Sequence, residues 1–414
     1  MKIDQLVSKQ EIVIFGAGIV ARGLIIALKE SIGLERVHLI GCVVSSKQKN
    51  VKEVENIPVF SIEEFSQEHK DALIIMAVRD SFKEDVIRLL KQYGMEHVEE
   101  IAMDDCISVL KSVWERQYPD IAEAFEQRIS LSELTQEEQI IFLSKQLRKE
   151  ALNFEVSLAE HCNLNCQSCN HFSPLAEKKF LDVSEYEMEL RRLTELFGKK
   201  IGRVMLVGGE PLLHPRLEDI MDISRQYLPD APIYFITNGL LFPKMKESFW
   251  RKCRKNVINI KVTQYPVKFD YAYWECYAKN QGIDISNENP ERIKTTYRLP
   301  LHREGQFNPY VNYAKCYHAN QCVVLREGRL YTCPISAWID MLNRYYGESF
   351  PQMEANSIDI YETEDSREIE WLLKQPVPMC EYCDIAGYEY NIPWRTSRKD
   401  KAEWIQATEL EKID

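Results

Sequence analysis

The sequence predicts an α/β protein built from two blocks of parallel strands covered by helices. Strand-like and helix-like segments alternate through the first hundred residues, and they alternate again from Leu152 to about Ser286. The composition, with 45% hydrophobic and 28% charged residues, is that of ordinary globular domains. A length of 414 residues suits two or three such domains.

The first block opens with a short apolar strand and a helix that runs through Lys29. An amphipathic helix over Phe82–Tyr93 follows the third strand. Alternation of this kind is typical of a doubly wound, Rossmann-like sheet. The three predicted strands are Ile12–Phe15, Val37–Val44 and Ala72–Val78.

The second block begins where Leu152, Phe154, Val156 and Leu158 alternate with polar residues. Strand starts then recur roughly every 25 to 50 residues, which is typical of βα units in a barrel or an open sheet. Beyond Pro300 the pattern loosens into short strands and turns with five cysteines. The further predicted strands are Val204–Val207, Ile233–Ile236, Val257–Val262 and Ile283–Ile285.

These patterns predict four segments along the chain. A helical connector is predicted because strand signals vanish from about Asp104 to Glu150, where Glu, Gln, Lys and Leu dominate. The segments are a Rossmann-like domain at 1–115, the connector at 116–150, a barrel-like domain at 151–300, and a cysteine-containing domain with a tail at 301–414.

The charge balance excludes some classes of partner. With 52 Lys and Arg against 64 Asp and Glu, the net charge is −12, so no basic surface is expected for nucleic acid or an anionic membrane. No long apolar run and no signal peptide are found, which predicts a cytoplasmic protein.

Twelve cysteines are unusual in a cytoplasmic protein, because a reducing compartment does not keep disulfides. Four of them lie on apolar faces and are predicted to be buried packing residues: Cys42, Cys106, Cys253 and Cys276.

Three cysteines form a C-x₃-C-x₂-C loop directly after the first strand of the second block. Cys162, Cys166 and Cys169 are close enough to converge on one soft metal or on an iron–sulfur cluster. A structural zinc site, with His161 or His171 as fourth ligand, has the same spacing. The loop alone leaves both interpretations open.

A glycine-rich strand end lies one βα unit further on. The strand Val204–Val207 ends in Gly208-Gly209-Glu210-Pro211. The two glycines allow a ligand to approach the backbone, and the glutamate adds an acceptor. A binding site beside the cysteine loop is therefore expected.

With the string YFITNGL, these motifs resemble the radical S-adenosylmethionine (SAM) superfamily. CNLNCQSC is similar to its cluster loop, and VGGEPLLHP to the segment that holds the amino group of the bound methionine. The resemblance covers about Leu152 to Ser286 and implies a partial (β/α)₆ barrel with a 4Fe–4S cluster and SAM at its strand ends. Ser168 departs from the family, which usually has an aromatic residue there, near the adenine. The cofactor-binding residues implied are Gly208, Gly209, Glu210, Pro211, Thr237, Asn238 and Thr263.

Five further cysteines follow Pro300, namely Cys316, Cys322, Cys333, Cys380 and Cys383. A turn at Gly328 with cysteines on both arms, joined by a distant C-x₂-C, is typical of a four-thiolate enclosure, and a zinc knuckle uses the same ligands. The spacing is similar to the twitch extension, a shortened SPASM domain, which implies an auxiliary 4Fe–4S cluster. Five thiols for four positions leave the ligand set open.

The N-terminal block carries Gly16-x-Gly18 between a strand and a helix, which is the context of a dinucleotide fingerprint. The second strand ends in Ser45 and Ser46, however, and lacks the carboxylate that usually binds the ribose of NAD. The block resembles Rossmann-like modules of bacterial sugar-modifying enzymes that bind a nucleotide sugar. A purely structural docking domain is the alternative.

Taken together, the resemblances imply a radical SAM enzyme that cleaves SAM to a 5′-deoxyadenosyl radical. The radical is expected to abstract hydrogen from a sugar or nucleotide-sugar, in an oxidation or an epimerisation, with electrons from a reductase such as flavodoxin or ferredoxin. Alternatives are a maturase of ribosomally made peptides and a non-catalytic zinc-stabilised binding protein. An aromatic stretch could line the substrate pocket or belong to the core: Tyr265, Tyr271, Tyr273, Trp274 and Tyr277.

Overall fold

The computed structural model describes residues 1–7, 10–45, 53–147, 152–287 and 295–406. Contacts divide the chain into two compact units, Met1–Lys149 and Glu150–Asp414. Both contain mainly parallel sheets with helices, so the predicted α/β class is confirmed. No helix in the described ranges is both long and apolar enough to cross a lipid bilayer.

The first unit alternates strands and helices and then becomes helical. Its elements are β1 (Ile12–Phe15), α1 (Ile19–Ser31), β2 (Leu39–Val44), β3 (Glu53–Val54), β4 (Ile57–Ser61), α2 (Ile62–Glu68), β5 (Leu73–Met76), α3 (Lys83–Gln92), β6 (Val98–Glu99), α4 (Met103–Gln117), α5 (Pro119–Glu126) and α6 (Gln136–Gln146).

The sheet of the first unit has the order β3-β4-β2-β1-β5-β6. Each neighbouring pair is parallel except β3 with β4. The central strand β1 consists of four buried apolar residues, which explains its position. The strands β2, β3 and β4 lie on one side of β1, and the later strands β5 and β6 lie on the other. The carboxyl end of β1 is therefore at the point where the strand order reverses, which is where Rossmann-like folds bind ligands.

The helices of the predicted connector pack against α1 within the first unit. A Cβ at Gly23 would collide with Ser144, so glycine allows α1 and α6 to approach closely. Trp114, Phe125 and Phe142, one from each of α4, α5 and α6, pack edge to face or tilted at 4.9 to 5.9 Å. This aromatic cluster holds the three helices together.

The second unit begins with four βα repeats and continues with shorter elements. Its elements are β7 (Leu152–Ser157), α7 (Val183–Phe197), β8 (Ile201–Val207), α8 (Leu217–Tyr227), β9 (Ile233–Thr237), α9 (Glu247–Lys255), β10 (Ile258–Val262), α10 (Tyr271–Asn280), β11 (Ile285–Asn287), β12 (Thr295–Arg298), α11 (Pro309–Lys315), β13 (Val323–Arg326), β14 (Arg329–Tyr331), α12 (Pro334–Tyr346), β15 (Ser357–Asp359), α13 (Ser366–Leu373) and β16 (Glu389–Pro393).

The main sheet of the second unit has the order β11-β10-β9-β8-β7-β13-β14-β15. The strands β7 to β11 are parallel and adjacent in chain order, as expected for βα repeats. In a barrel with strands in chain order, the sixth parallel strand would be the next one after β11. Here the sixth parallel strand is β13, and it pairs with β7 at the opposite end of the row of parallel strands. The next strand in the chain, β12, instead pairs antiparallel with β16 in a separate two-stranded sheet.

The two faces of the main sheet differ in polarity. Phe154, Val204 and Phe235 point to the side where helices bury them. Their neighbours along the strands point to the opposite side, because side chains alternate in a strand. This second side, called here the polar face, carries Asn153, Glu155, Arg203, Tyr234, Asn259 and Lys261.

Candidate metal centres

The first cysteine loop leaves the carboxyl end of β7 and carries Cys162, Cys166 and Cys169. It turns sharply at Asn165 and Ser168, whose φ angles of 51° and 53° lie in the left-handed region. The three cysteines are partly exposed and free of disulfides. Burial raises the pKa of Cys162 to about 12, so a bound metal must displace its proton.

The two glycines after β8 pack directly on this loop. Gly208 has a φ of 139°, and Gly209 donates its N–H to the carbonyl of Ala159 at 2.7 Å. A Cβ at Gly209 would collide with the carbonyl of His161 and lie 2.9 Å from the nitrogen of Cys162. Glycine is therefore required here by the contact with the cysteine loop itself.

Glu210 is fully buried and joins three neighbouring segments. Its carboxylate accepts hydrogen bonds from the Thr237 hydroxyl at 2.6 Å, the Asn238 N–H at 2.9 Å and the Leu212 N–H at 3.0 Å. Burial raises the pKa of Glu210 to about 7, although these hydrogen bonds act to lower it. The Asn238 side chain also donates to Asn163 in the cysteine loop at 2.7 Å.

The remaining cofactor-binding residues proposed for this edge lie beside that network. Thr263 donates its N–H to the carbonyl of Thr237 at 2.9 Å. Pro211 begins the short turn Pro211–Leu213, whose first residues Glu210 caps. The ends of β8, β9 and β10 and the cysteine loop thus form one hydrogen-bonded edge.

The chain around and after β16 also binds the cysteine loop, a feature that the sequence analysis missed. The indole N–H of Trp394 donates to the sulfur of Cys166 at 3.0 Å. The indole N–H of Trp404 donates to the backbone carbonyl of Cys169, also at 3.0 Å. Two backbone hydrogen bonds reinforce this contact, from Gln167 to Arg395 and from Ser397 to Asn165. No sequence motif marks these residues.

Tyr265 follows β10 and faces all three thiols of the loop. Its hydroxyl is hydrogen-bonded to Cys166, and burial together with the nearby cysteines raises the Tyr265 pKa. The ring of Trp394 lies 5.5 Å from that of Tyr265. Other members of the aromatic stretch have different environments: Tyr271, Trp274 and Tyr277 pack on the core, and Tyr273 is exposed.

Four of the five later cysteines line one small cavity: Cys316, Cys333, Cys380 and Cys383. The side-chain amide of Asn312 donates to the carbonyls of Cys380 at 2.7 Å and Cys383 at 2.6 Å, which fixes the C-x₂-C turn. Burial raises the pKa of Cys333 to about 11. These four thiols, called here the second cysteine set, come together from three separate segments.

Cys322 is not among the residues that line this cavity. It directly precedes β13, whose Val323 pairs with Phe154 of β7. Burial raises the pKa of its thiol, and Glu155, Cys333 and Cys316 act in the same direction. Cys322 therefore lies close both to the polar face of the sheet and to two thiols of the second cysteine set, although it does not line their cavity.

Aromatic side chains connect the first loop with the second cysteine set. Asn170 donates its side-chain N–H to the hydroxyl of Tyr297 at 2.6 Å. Tyr297 stacks on Tyr388, with ring centres 5.4 Å apart, and lies 5.6 Å from His318. His318 also lines the cavity of the second set.

Unsatisfied polar atoms border this aromatic contact. Glu155 Oε1, Arg203 Nε and His318 Nδ1 are buried without a hydrogen bond in the described structure. The Nε2 of His171 lies 3.4 Å from Glu155 Oε1. Buried polar atoms without partners cost free energy, so the site suits a ligand that offers both donors and acceptors.

The glycines of the N-terminal fingerprint have different surroundings. Gly16 has a φ of 128°, and a Cβ there would collide with the carbonyl of Ala77. Gly18 is the N-cap of α1, and a Cβ there would meet open space. Ser45 is exposed after the end of β2, whereas Ser46 lies outside the described residues.

The described residues hold no group of three Cys, His, Asp or Glu side chains arranged around a single metal ion. Thiols that share a polynuclear cluster stand further apart, because each binds a different iron. Among the four cysteines predicted to be packing residues, Cys42, Cys106 and Cys253 are buried. The prediction is wrong for Cys276, which lies on the exposed face of α10.

Comparison with known proteins matches residues 156–270 to the radical SAM superfamily. Molybdenum cofactor biosynthesis protein 1 of Bos taurus is 33% identical over 134 residues, which cover 31% of this chain and 20% of that protein. GTP 3′,8-cyclase of Aliarcobacter butzleri is 31% identical over 90 residues, which cover 22% of this chain and 28% of that protein. The chain thus spans less than a third of the length of either relative.

Among solved structures, BtrN in complex with AdoMet and 2-DOIA aligns with a TM-score of 0.38 and 18% identity, over 57% of this chain and 94% of BtrN. Native anSMEcpe with bound AdoMet aligns with a TM-score of 0.26 and 19% identity, over 33% of this chain and 42% of that one. The residues matched by the superfamily contain the first cysteine loop and the Glu210 network, and they end before the second cysteine set.

Proposed function

Because residues 156–270 match the radical SAM superfamily, we propose that this protein is a radical SAM enzyme whose 4Fe–4S cluster binds Cys162, Cys166 and Cys169. The observation that carries the proposal is the hydrogen-bonded link between this loop and the Glu210 network. Three soft thiolates on one loop fit a cluster in which one iron stays open for SAM. When bound, cluster and SAM supply the reductive cleavage that permits hydrogen abstraction from an unactivated C–H bond.

The residues of the Glu210 network are proposed to hold the methionine end of SAM. A carboxylate offers about four acceptor positions, and the protein's own donors occupy three of those of Glu210. One position remains for an amino group. Gly208 and Gly209 keep this edge of the sheet against the cysteine loop.

The second cysteine set is proposed to bind an auxiliary 4Fe–4S cluster. Cys316, Cys333, Cys380 and Cys383 supply one thiolate for each iron and leave no iron open. A small reductase such as flavodoxin or ferredoxin is the proposed electron donor to the protein.

The proposed substrate is a sugar or a nucleotide-sugar, which is oxidised or epimerised. The unsatisfied polar atoms of Glu155, Arg203 and His318 support a polyhydroxylated substrate, because its hydroxyls both donate and accept hydrogen bonds. Asn170 and His171, from the first loop, border the same site. Substrate bound there lies between the two sets of cysteines.

Anaerobic reconstitution with iron and sulfide tests the proposed activity. We expect a brown protein with broad absorption and about eight irons per chain. Reduction in the presence of SAM should release 5′-deoxyadenosine and methionine. A colourless protein that retains zinc and leaves SAM intact would support the zinc-stabilised binding protein instead.

Calorimetry with the full chain tests the substrate class and the proposed nucleotide site at Gly16 and Gly18. The panel contains nucleotide sugars, NAD, a peptide, and GTP, since relatives are named GTP 3′,8-cyclase. Gly18→Val should weaken nucleotide-sugar binding and spare SAM cleavage, because a Cβ at this position meets open space in the protein, whereas a bound diphosphate would approach it. Tight NAD binding would contradict the interpretation of the β2 end.

A further inference from the structure

The sulfur of Cys166 is a hydrogen-bond acceptor for two aromatic side chains. The Trp394 indole N–H donates to it at 3.0 Å, and the Tyr265 hydroxyl is hydrogen-bonded to it as well. Cys162, in comparison, accepts the backbone N–H of Leu164 at 3.4 Å. The indole contact is the shorter of these two N–H···S distances, and a side chain rather than the loop itself provides it.

The position of the Trp394 indole is fixed by its own segment. The residue directly follows β16, whose Pro393 pairs with Thr295 of β12. The carbonyl of the next residue, Arg395, accepts the backbone N–H of Gln167 at 3.1 Å. Contacts of the residues on both sides of Trp394 therefore fix the position of the donor beside the sulfur.

An N–H donor at a cluster sulfur acts on the charge of the cluster. Reduction adds one electron, and part of that negative charge resides on the sulfur ligands. A donor stabilises the more negative state more strongly, so it raises the reduction potential. The Trp404 indole lies in the same segment but donates to the Cys169 carbonyl, so it has no such contact with a sulfur.

We propose that Trp394 is a positioning residue that raises the reduction potential of the cluster bound at Cys162, Cys166 and Cys169. The inference rests on the proposed function, because it requires that cluster to be present. Beyond that function, the inference states that Trp394, 228 positions after Cys166 in the sequence, makes the cluster easier for the electron donor to reduce.

The test is a redox titration of the reconstituted full chain in which electron paramagnetic resonance detects the reduced clusters. In Trp394→Phe, the ratio of reduced to oxidised cluster at the wild-type midpoint should fall about tenfold, a shift of about 59 mV to more negative potential. Trp404→Phe is the matched control and should leave the midpoint unchanged. The signal of the second cysteine set is identified in the triple variant that replaces Cys162, Cys166 and Cys169 by alanine.

A second measurement avoids any change of side-chain shape. Incorporation of 5-fluorotryptophan makes the indole N–H a stronger donor, so the midpoint should rise in the wild-type sequence and in Trp404→Phe but not in Trp394→Phe. The inference would be overturned if Trp394→Phe held the full iron content at the wild-type midpoint and fluorination had no effect. The proposed function would survive that result. Absence of iron from the first loop of the wild type would overturn the proposed function and the inference with it.

Discussion

The two sets of cysteines are assembled in opposite ways. The first places three thiols within eight consecutive residues, on a loop that follows a single strand. The second collects four thiols from separate segments, starting after α11, after β14 and in the turn that precedes β16. The first set is also contacted from outside its loop, by the indoles of Trp394 and Trp404 and by the glycines after β8.

This difference suggests a division of roles. A loop with three thiols leaves one iron of a cluster accessible, as a catalytic metal site must. A buried cavity with four thiols closes the site, as in structural or electron-transfer centres. Substitutions in either cysteine set test this division, and their expected effects on SAM cleavage and iron content differ in size.

The largest effect is expected from replacing Cys162, Cys166 and Cys169 by alanine together. Reductive cleavage of SAM should be abolished, because no open iron remains. About four irons per chain should persist in the second cysteine set, measured by iron and sulfide analysis. Unchanged 5′-deoxyadenosine release from this variant would contradict the assignment of the first loop.

Replacing a thiol of the second set should remove only the auxiliary cluster. Cys380→Ser is expected to lower the iron content from about eight to about four per chain, with substrate-free SAM cleavage retained. Cys322→Ser is the matched control, because Cys322 lies outside the cavity. Equal iron loss in both variants would place Cys322 among the ligands.

The fold class, the first cysteine loop and the glycine-rich strand end could be predicted from local sequence patterns. The loop and the motif each occupy a few consecutive residues, and strands of the parallel sheets are short apolar runs. Two kinds of feature could not be predicted. The short strands β3 and β6 have two residues each, too few for a periodic signal, and β13 joins β7 through pairing over a long sequence separation.

The four cysteines that line the cavity and the indole that contacts Cys166 are also brought together by such distant contacts. The sequence offers five cysteines for four positions, and the position of Cys322 outside the cavity follows from the pairing of β13 with β7. The indole that contacts Cys166 comes from a segment with no recognisable pattern. Local periodicity carries no information about either contact.

A smaller effect is expected at Gly209, where the support of the first set is tightest. Gly209→Ala should displace the first loop, because the added methyl group collides with the carbonyl of His161. Crowding of this kind costs about 1–3 kcal/mol. The variant should lose most of its SAM cleavage and a part of its iron.

Gly18→Ala is the control for this substitution, since its added methyl group meets open space. Iron content and 5′-deoxyadenosine release should match the wild type. A Gly209→Ala variant with wild-type values of both would show that the contact between the two segments does not position the loop.

The smallest effect on iron content and SAM cleavage is expected at Glu189, which connects α7 to the turn between β13 and β14. Its carboxylate accepts the N–H of Gly328 at 2.5 Å, and burial raises its pKa from 4.5 to about 7. A raised carboxyl pKa means that the folded state binds the proton more tightly, so the stability it contributes falls as pH rises from about 4.5 to 7. Glu189→Gln should remove this loss, on the order of 3 kcal/mol above pH 7.

Denaturant unfolding of Glu189→Gln and the wild type at pH 5 and pH 8 measures this effect. The advantage of the variant should be larger at pH 8. Glu195→Gln, on the exposed face of the same helix, should show little change at either pH. A constant difference between the two pH values would mean that Glu189 is ionised in the folded protein at both.

The contact between Trp394 and Cys166 also sets an order of events during biosynthesis. The two residues are 228 positions apart, and a ribosome adds about 5–20 residues per second. The cysteine loop therefore leaves the ribosome roughly 10 to 45 seconds before the indole that contacts it. During that interval the loop exists without its contact to Trp394, so insertion of iron that depends on this contact is a step that follows synthesis of the segment around β16.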